Sequence, residues 1–200
     1  MSVHLRPVEA IDSERLLDWR NREQVAAYMY TDHVISPEEH ARWFAAAMSA
    51  ADRKYWIIEL DRRPVGLANL AAIDRAQRRC DWAYYLAETN VRGRGVGAAV
   101  EFAMIDFVFG RLGLHKLSCE VLIDNEAVWK LHESFGFVRE ALYREHVWKA
   151  GRYQDVVGLG LLEADWARER PACVERLAQK GYNPSNLSIT WTGRQIMSAP

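Results

Sequence analysis

Arg92-Gly93-Arg94-Gly95-Val96-Gly97 is the stretch that decides the fold of this 200-residue chain. It follows a predicted strand at residues 80–86 and precedes a predicted helix at residues 98–112. At the start of a helix, backbone N–H groups and the helix dipole both favour a bound anion. The glycines let a phosphate approach these amides, and Arg92 and Arg94 can add charge-assisted hydrogen bonds. We interpret residues 92–97 as a phosphate loop, although a tight turn would need similar glycines.

The sequence before the phosphate loop predicts strands and helices around one core. Residues 3–8 alternate polar and apolar side chains, which indicates a strand, and a helical pattern follows. Ser36-Pro37-Glu38-Glu39 combines an N-cap serine, a proline at the first helical position and a nearby glutamate, so a helix should begin there. Residues 55–60 and 65–73 are rich in β-favouring side chains and flank a turn, which indicates an antiparallel hairpin.

The sequence after the phosphate loop completes an α/β pattern. Residues 98–112 are apolar on nearly every face, which indicates a helix buried beneath a sheet. Further strands are predicted at residues 116–123, 137–148 and 155–162, with a helix at residues 125–135. The predicted fold is α/β (α+β), with a central mixed, largely antiparallel sheet of about seven strands flanked by helices in one domain, residues 1–162. Residues 163–200 are predicted to form a C-terminal extension, helical and then irregular.

Composition argues against several classes of partner. With 26 Lys and Arg against 27 Asp and Glu, the net charge of −1 offers no field to attract nucleic acid or an anionic membrane. Cys80, Cys119 and Cys173 are odd in number and widely spaced, which argues against a disulfide framework and a metal site. The sequence contains neither the pattern of a signal peptide nor a run of about eighteen apolar residues. We therefore expect a cytoplasmic protein without a bound metal.

The phosphate loop is followed by a second motif, and together they resemble a known family. The loop lacks the GKS or GKT ending of a nucleoside-triphosphate loop, and no acidic ribose-binding residue follows as in a dinucleotide fold. Arg92-x-x-Gly95-x-Gly97 instead resembles the CoA pyrophosphate signature of the GCN5-related N-acetyltransferases. Residues 125–131 and Glu133-x-Phe135-Gly136-Phe137 resemble that family's second conserved segment. The resemblance covers about residues 3–162 and implies transfer of an acetyl group from acetyl-CoA to an amine.

The resemblance also implies where acetyl-CoA binds. Its pyrophosphate would lie on the phosphate loop, and its pantetheine would pair with the strand at residues 81–86 like an additional strand. A backbone N–H near Tyr85 or Leu86 would hold the negative charge that develops on the carbonyl oxygen. The residues implied in binding acetyl-CoA are Tyr85, Leu86, Arg92, Gly93, Arg94, Gly95, Val96, Gly97, Ala98 and Asn125.

The groups that move protons are less well defined by the motifs. His132 stands where many family members carry a tyrosine that protonates the departing thiolate. An imidazolium could donate that proton, or the histidine could only line the thiol pocket. His40, Glu88 and Glu126 are candidates for the base that accepts the amine proton, and a water chain is equally possible.

The N-terminal part of the sequence indicates an acceptor. Trp19-Arg20-Asn21 and residues 28–33, 36–40, 114–117 and 151–156 resemble the acetyltransferases of pseudaminic acid biosynthesis. That subgroup acetylates the 4-amino group of a UDP-linked 4-amino-4,6-dideoxy sugar, upstream of flagellin glycosylation. Aromatic rings could stack on uracil or the sugar, and an arginine could bind a phosphate, although an aromatic run can also pack onto the core. The residues predicted to bind the acceptor are Arg20, Tyr28, Met29, Tyr30, His40 and Tyr84.

Two other functions are compatible with the motifs. A protein N-terminal or ribosomal-protein acetyltransferase shares the Asn-led helix and often lacks the tyrosine. A non-catalytic CoA-binding module would keep the phosphate loop without turnover. The expected partner is a small-molecule nucleotide sugar, with no nucleic acid or membrane, and the expected assembly is a monomer or homodimer.

Overall fold

A computed structural model describes residues 1–191, within which eight strands form one sheet in the order β6-β7-β5-β4-β3-β2-β1-β8. The strands are β1 (Val3–Pro7), β2 (Lys54–Leu60), β3 (Arg63–Asp74), β4 (Arg79–Leu86), β5 (Lys116–Leu122), β6 (Val138–Lys149), β7 (Arg152–Leu162) and β8 (Leu187–Ile189). The helices are α1 (Ser13–Asn21), α2 (Glu23–Ala26), α3 (Pro37–Ser49), α4 (Val96–Asp106), α5 (Glu126–Ser134) and α6 (Glu163–Gln179). Neighbouring strands are antiparallel except for the parallel pairs β4–β5 and β1–β8. The predicted mixed, largely antiparallel sheet flanked by helices is confirmed, with one additional short strand.

The two faces of the sheet carry separate apolar clusters. The larger cluster lies against α4, α5 and α6, and the smaller one lies against α1, α2 and α3. Side chains alternate along β4, so Trp82 and Tyr84 pack with the larger cluster whereas Tyr85 packs with the smaller one. β4 therefore contributes side chains to both sides of the molecule.

The helix after the phosphate loop is buried nearly all round, as its apolar composition predicted. α4 begins at Val96 and continues beyond Asp106 as a π-helical turn, Phe107–Arg111, in which the Leu112 N–H donates to the Phe107 carbonyl at 3.0 Å. Glu101, at the centre of this helix, has no exposed surface. A buried carboxylate in an apolar helix is costly unless it has a partner, so its surroundings bear on function.

The C-terminal segment differs from the sequence-based prediction. α6 was predicted, but Gly181 onward was predicted to be irregular, whereas β8 pairs in parallel with β1 through Val3 and Leu187. Leu187 and Ile189 alternate with Ser188, so their apolar side chains pack against the larger cluster. Residues on both sides of position 162 thus share one core, although the predicted domain boundary there stays a prediction. Residues 192–200 of the predicted extension lie outside the described residues.

Candidate active site

A cleft opens where β4 and β5 separate. The two strands pair only from Arg79 with Lys116 to Asp81 with Ser118, and beyond these residues no pairing joins them within the described chain. The cleft between them has a volume of about 900 Å³. On the side of β4 that faces away from β3, the backbone N–H and C=O groups of residues 82–86 are therefore directed into the cleft. An extended ligand can pair with such a free strand edge.

The phosphate loop stands at one end of β4 with its amides available. Gly93 and Gly95 adopt positive φ angles of 74° and 75°, the left-handed region that glycine enters without strain. Within the described residues no side chain caps the first turn of α4. The N–H groups of Val96, Gly97 and Ala98 are therefore free to bind an anion. These features fit the pyrophosphate of CoA.

Close packing behind the loop leaves no room for a side chain at two of its positions, Gly95 and Gly97. A methyl group on Gly97 would come within 2.9 Å of the Tyr84 hydroxyl oxygen. A methyl group on Gly95 would lie 3.2 Å from side-chain atoms of both Lys180 and Tyr182. The Tyr182 hydroxyl also donates a hydrogen bond to the Arg94 carbonyl at 3.0 Å. The C-terminal segment thus braces the phosphate loop, a contact that sequence reasoning missed.

A buried histidine and glutamate lie beneath the cleft. His132 on α5 lines the cleft, is 3% exposed, and directs Nδ1 to Glu101 Oε1 at 2.8 Å. Burial lowers the pKa of His132, but the Glu101 charge, a hydrogen bond with the Cys119 thiol and the bond to Glu101 together raise it to about 10. Burial also raises the pKa of Glu101, but the His132 charge and hydrogen bond oppose that rise, so at neutral pH the pair is an imidazolium held by a carboxylate.

The other face of β4 and β5 carries carboxylates and aromatic rings. Asp81 and Glu120 line the cleft, and the Tyr30 hydroxyl donates to Glu120 Oε2 at 2.8 Å. Burial and the Glu120 charge both raise the pKa of Asp81. Lys116 Nζ donates to Glu140 Oε2 at 2.6 Å in the same cleft. Sequence reasoning gave none of these acidic residues a role, because they lie on three different strands and share no motif.

The fold and the loop agree with a comparison against known families. The profile of a family described as "Acetyltransferase (GNAT) domain" matches residues 2–138, which is more than half of the chain. The chain belongs to the GNAT acetyltransferase family. It is accordingly an acetyl-CoA-dependent N-acetyltransferase, and the resemblance found in the sequence is confirmed at the level of the family. Within the described residues no group of three or more His, Cys, Asp and Glu side chains is placed to hold a metal ion.

The chain is similar to GNAT acetyltransferases that carry different names. Spermidine N(1)-acetyltransferase of Vibrio cholerae is 24% identical over 81% of this chain and 94% of that protein. Acetyltransferase PseH of Campylobacter jejuni is 27% identical over 62% of this chain and 75% of that protein. The crystal structure of the Vibrio cholerae spermidine enzyme with CoA and spermine has a TM-score of 0.77 at 23% identity, covering 83% of this chain and 98% of that one. The structural likeness supports the GNAT fold and leaves the acceptor open.

The cleft of this GNAT enzyme brings together many of the residues predicted from the sequence. Residues at the cleft from both predicted sets are Tyr28, Met29, Tyr30, Tyr84, Tyr85, Leu86, Arg92, Asn125 and His132. Tyr84 was predicted to bind the acceptor, but its side chain lies on the α4 face, beside Gly97, and therefore on the acetyl-CoA side. The Tyr85 side chain lies on the acceptor side, and its buried hydroxyl has no hydrogen-bond partner among the described residues.

Other predicted residues lie away from the cleft. His40 is buried on α3, where Nε2 lies 3.2 Å from the Ser13 hydroxyl, and it does not line the cleft in the described structure. Glu126 is exposed and bonded to Lys130 at 2.6 Å, and this hydrogen bond lowers the pKa of its carboxyl. A carboxylate with a lowered pKa is a poor base. The geometry thus gives His40 and Glu126 no place in the chemistry.

Two further predicted residues support the site from behind. Glu88 is paired with Arg22 at 3.0 Å, outside the cleft lining. Arg20 lies behind the segment that carries Tyr30, and its Nη2 donates to the Thr31 hydroxyl at 3.3 Å. Arg20 can position this aromatic segment, whereas the arginine and lysine side chains that line the cleft itself are Arg79, Arg92 and Lys116.

Proposed function

We propose that the enzyme acetylates the 4-amino group of a UDP-linked 4-amino-4,6-dideoxy sugar. The observation that carries this proposal is that one cleft combines aromatic rings, cations and carboxylates. A nucleotide sugar with a free amine needs all three, namely rings for its base and sugar, cations for its diphosphate, and carboxylates for its ammonium group. The sequence resemblance of residues 28–40 and the similarity to Acetyltransferase PseH support the same acceptor.

The cleft offers a place for each part of such an acceptor. Tyr28 and Tyr30 line it from the segment after α2, and their rings suit uracil or a pyranose face. Arg79 on β4 and Lys116 on β5 line the end where the strands pair. Lys116 is paired with Glu140 at 2.6 Å, so Arg79 is the cation there that can bind phosphate oxygens. Arg79 forms no salt bridge among the described residues, although its charge lowers the pKa of the nearby Asp81, so its guanidinium N–H groups can bind a ligand.

The proposed chemistry uses residues on both faces of β4. Acetyl-CoA supplies an acetyl group already activated as a thioester. Asp81 attracts the ammonium form of the acceptor, which loses one proton to solvent, and then takes the second proton as the free amine attacks, because its raised pKa brings the carboxylate closer to neutral pH. A backbone N–H of residues 82–86 stabilises the charge on the carbonyl oxygen. His132 gives its proton to the departing thiolate.

A polyamine is the second candidate acceptor. It is favoured by the carboxylates Asp81, Glu120 and Glu140 in the cleft and by the similarity to spermidine N(1)-acetyltransferase. Two of these carboxylates are already engaged, since Lys116 pairs with Glu140 and the Tyr30 hydroxyl bonds to Glu120. A polycation would also meet the positive charge of Arg79, which lines the same cleft. The mixed charge of the cleft therefore favours an acceptor that is itself both cationic and anionic.

An acceptor panel separates the candidates. Purified enzyme is incubated with acetyl-CoA and a UDP-4-amino sugar, spermidine, a peptide panel or no acceptor, and thiol release is followed while mass spectrometry identifies the product. We expect rapid release with the nucleotide sugar and a mass gain of one acetyl group on it. Transfer only to spermidine, or only to peptides, would refute the sugar proposal.

Arg79→Gln tests the proposed diphosphate contact. We expect it to raise the KM for the nucleotide sugar about tenfold, because a charge-assisted contact contributes about 1.5 kcal/mol, while the KM for acetyl-CoA stays unchanged. Arg75→Gln, in the exposed turn after β3, is the matched control. An equal rise in both KM values would indicate general damage to the cleft and contradict the assigned contact.

The proposal includes a cytoplasmic location and a monomer or homodimer. Cys80, Cys119 and Cys173 are buried free thiols, which suits a reducing compartment. Within the described residues no helix is long and apolar enough to cross a membrane. A spermidine N-acetyltransferase structure from Vibrio cholerae is dodecameric, so light scattering of the purified protein distinguishes the small assembly from a large one. Flagellin glycosylation would be the downstream process if the sugar acceptor is correct.

A further inference from the structure

The centre of α4 holds an ionisable side chain that the reaction outlined above does not yet use. Glu101 is fully buried, and its Oε1 accepts a hydrogen bond from His132 Nδ1 at 2.8 Å. Its other oxygen, Oε2, has no hydrogen-bond partner among the described residues. Burying a carboxylate is costly, and replacing a buried ion pair with well-packed apolar side chains is often neutral or even stabilising. A structural role alone therefore explains Glu101 poorly.

Among the groups around His132, Glu101 supplies the negative charge that acts most strongly on the imidazole. Trp82 and Phe137 pack on the imidazole with ring centroids 5.3 Å away, and they carry no charge. The titratable groups that face the pair are Tyr84 on β4, Cys119 on β5 and Cys173 on α6. Burial raises the pKa of Tyr84 and of Cys173, so both stay neutral near pH 7.

The orientation of the ring decides what the pair can do. Because Nδ1 is directed at Glu101, Nε2 is the nitrogen left to interact with the Cys119 thiol, and both residues line the cleft. A carboxylate behind an imidazole fixes both the orientation of the ring and its protonated form. This arrangement places an N–H donor at the cleft wall rather than a lone pair.

We propose that Glu101 is a positioning residue that holds His132 as a cleft-facing acid for the leaving thiolate. The proposal rests on the acid role of His132 given above. In the step itself, the amine nitrogen bonds to the carbonyl carbon and the carbon–sulfur bond breaks with its electron pair on sulfur. The Nε2 proton of His132 passes to that sulfur, and the amine proton passes to Asp81. Solvent then restores the proton on His132 and removes the one on Asp81, so protons balance over the cycle.

Glu101→Gln tests this role because it removes the charge at nearly constant shape. Without the counter-charge we expect His132 to titrate near its ordinary value of about 6.5, so that at pH 8 only about 3% remains protonated. The kcat relative to wild type should therefore fall about thirtyfold at pH 8 but less than about twofold at pH 6. His132→Phe should lower kcat more than tenfold at pH 7, and adding Glu101→Gln to it should cost nothing further. Glu175→Gln, an exposed glutamate of α6, is the matched control and should match wild type at both pH values.

A direct titration of His132 separates the positioning role of Glu101 from the acid role of His132. NMR of labelled histidine, with the His132 signal assigned from His132→Phe, reports the charge of His132 whether or not the variant turns over. A fall in that titration midpoint together with the pH-dependent loss of kcat is the expected result. An unchanged midpoint in Glu101→Gln would overturn the role of Glu101. A lowered midpoint with unchanged kcat at pH 8 would overturn the acid role of His132 and with it the positioning role, while acetyl transfer to the sugar amine would stand.

Discussion

Tyr182→Phe removes one hydroxyl group that joins the C-terminal segment to the phosphate loop. The residue is 2% exposed, so the ring of phenylalanine keeps its packing in the larger cluster. Burial raises the pKa of Tyr182, so the hydroxyl is protonated and donates to the Arg94 carbonyl at 3.0 Å in the native enzyme. A hydrogen bond of this kind contributes about 0.5–1.5 kcal/mol net.

The expected effect falls on acetyl-CoA binding. Arg94 lies on an exposed loop, and water can satisfy its carbonyl after the substitution, so the lower half of that range applies. About 0.5–1 kcal/mol corresponds to a two- to fivefold rise in the KM for acetyl-CoA. The kcat should stay within about twofold of wild type, because the loop is predicted to bind the pyrophosphate and not the reacting atoms.

Initial rates at varied acetyl-CoA, together with calorimetric titration of CoA, measure the effect of Tyr182→Phe. Tyr153→Phe is the matched control, since Tyr153 is exposed on β7 and does not line the cleft in the described structure. An unchanged KM and CoA affinity in Tyr182→Phe, with only a lower melting temperature, would refute the bracing role and leave Tyr182 as an ordinary core residue.

Two further predictions concern the loop and the N-terminal region. Gly95→Ala forces a side chain into a left-handed φ at a cost of about 1–2 kcal/mol, so it should raise the KM for acetyl-CoA about tenfold, whereas Gly110→Ala should leave it unchanged. Burial would raise the pKa of Asp12, but hydrogen bonds from Arg6 and from the Glu9 N–H outweigh it and hold that pKa below 3.8. The stability that Asp12 contributes is therefore present above about pH 4 and lost as the pH falls through its folded-state pKa. In urea unfolding, Asp12→Asn should cost about 2 kcal/mol at pH 7 and progressively less as the pH is lowered through that pKa.

The sequence predicted those parts of the site that depend on local chain chemistry. The phosphate loop was recognisable because its glycines and arginines and the following helix are contiguous in the sequence. A tight turn into that helix requires positive φ angles, which Gly93 and Gly95 adopt. Tyr28, Met29 and Tyr30, which were predicted to bind the acceptor, all line the cleft, because they follow one another along one segment.

The remainder of the site could not be predicted, since it depends on contacts between distant segments. Asp81 and Glu120 come together only because β4 and β5 are neighbours, and Glu101 meets His132 only because α5 packs beside α4. A lone glutamate in an otherwise apolar helix was the one signal available for Glu101. His40 was predicted as a base because of its place in the sequence. The structure instead places it beside Ser13, where α1 packs against α3.

The chain beyond the GNAT match supplies parts that the site depends on. The match ends at residue 138, yet β7 lies between β5 and β6, and α6 places Trp166 on α4, where its indole N–H donates to Asp106 at 2.8 Å. Tyr182 holds the loop at the opposite end of the same helix. The first turn of α4 presents amides, and its centre holds Glu101 beneath His132. Both features are positioned more accurately when the two ends of the helix are fixed. We therefore propose that residues 163–191 work as part of the acetyltransferase domain, because removing them would free both ends of α4.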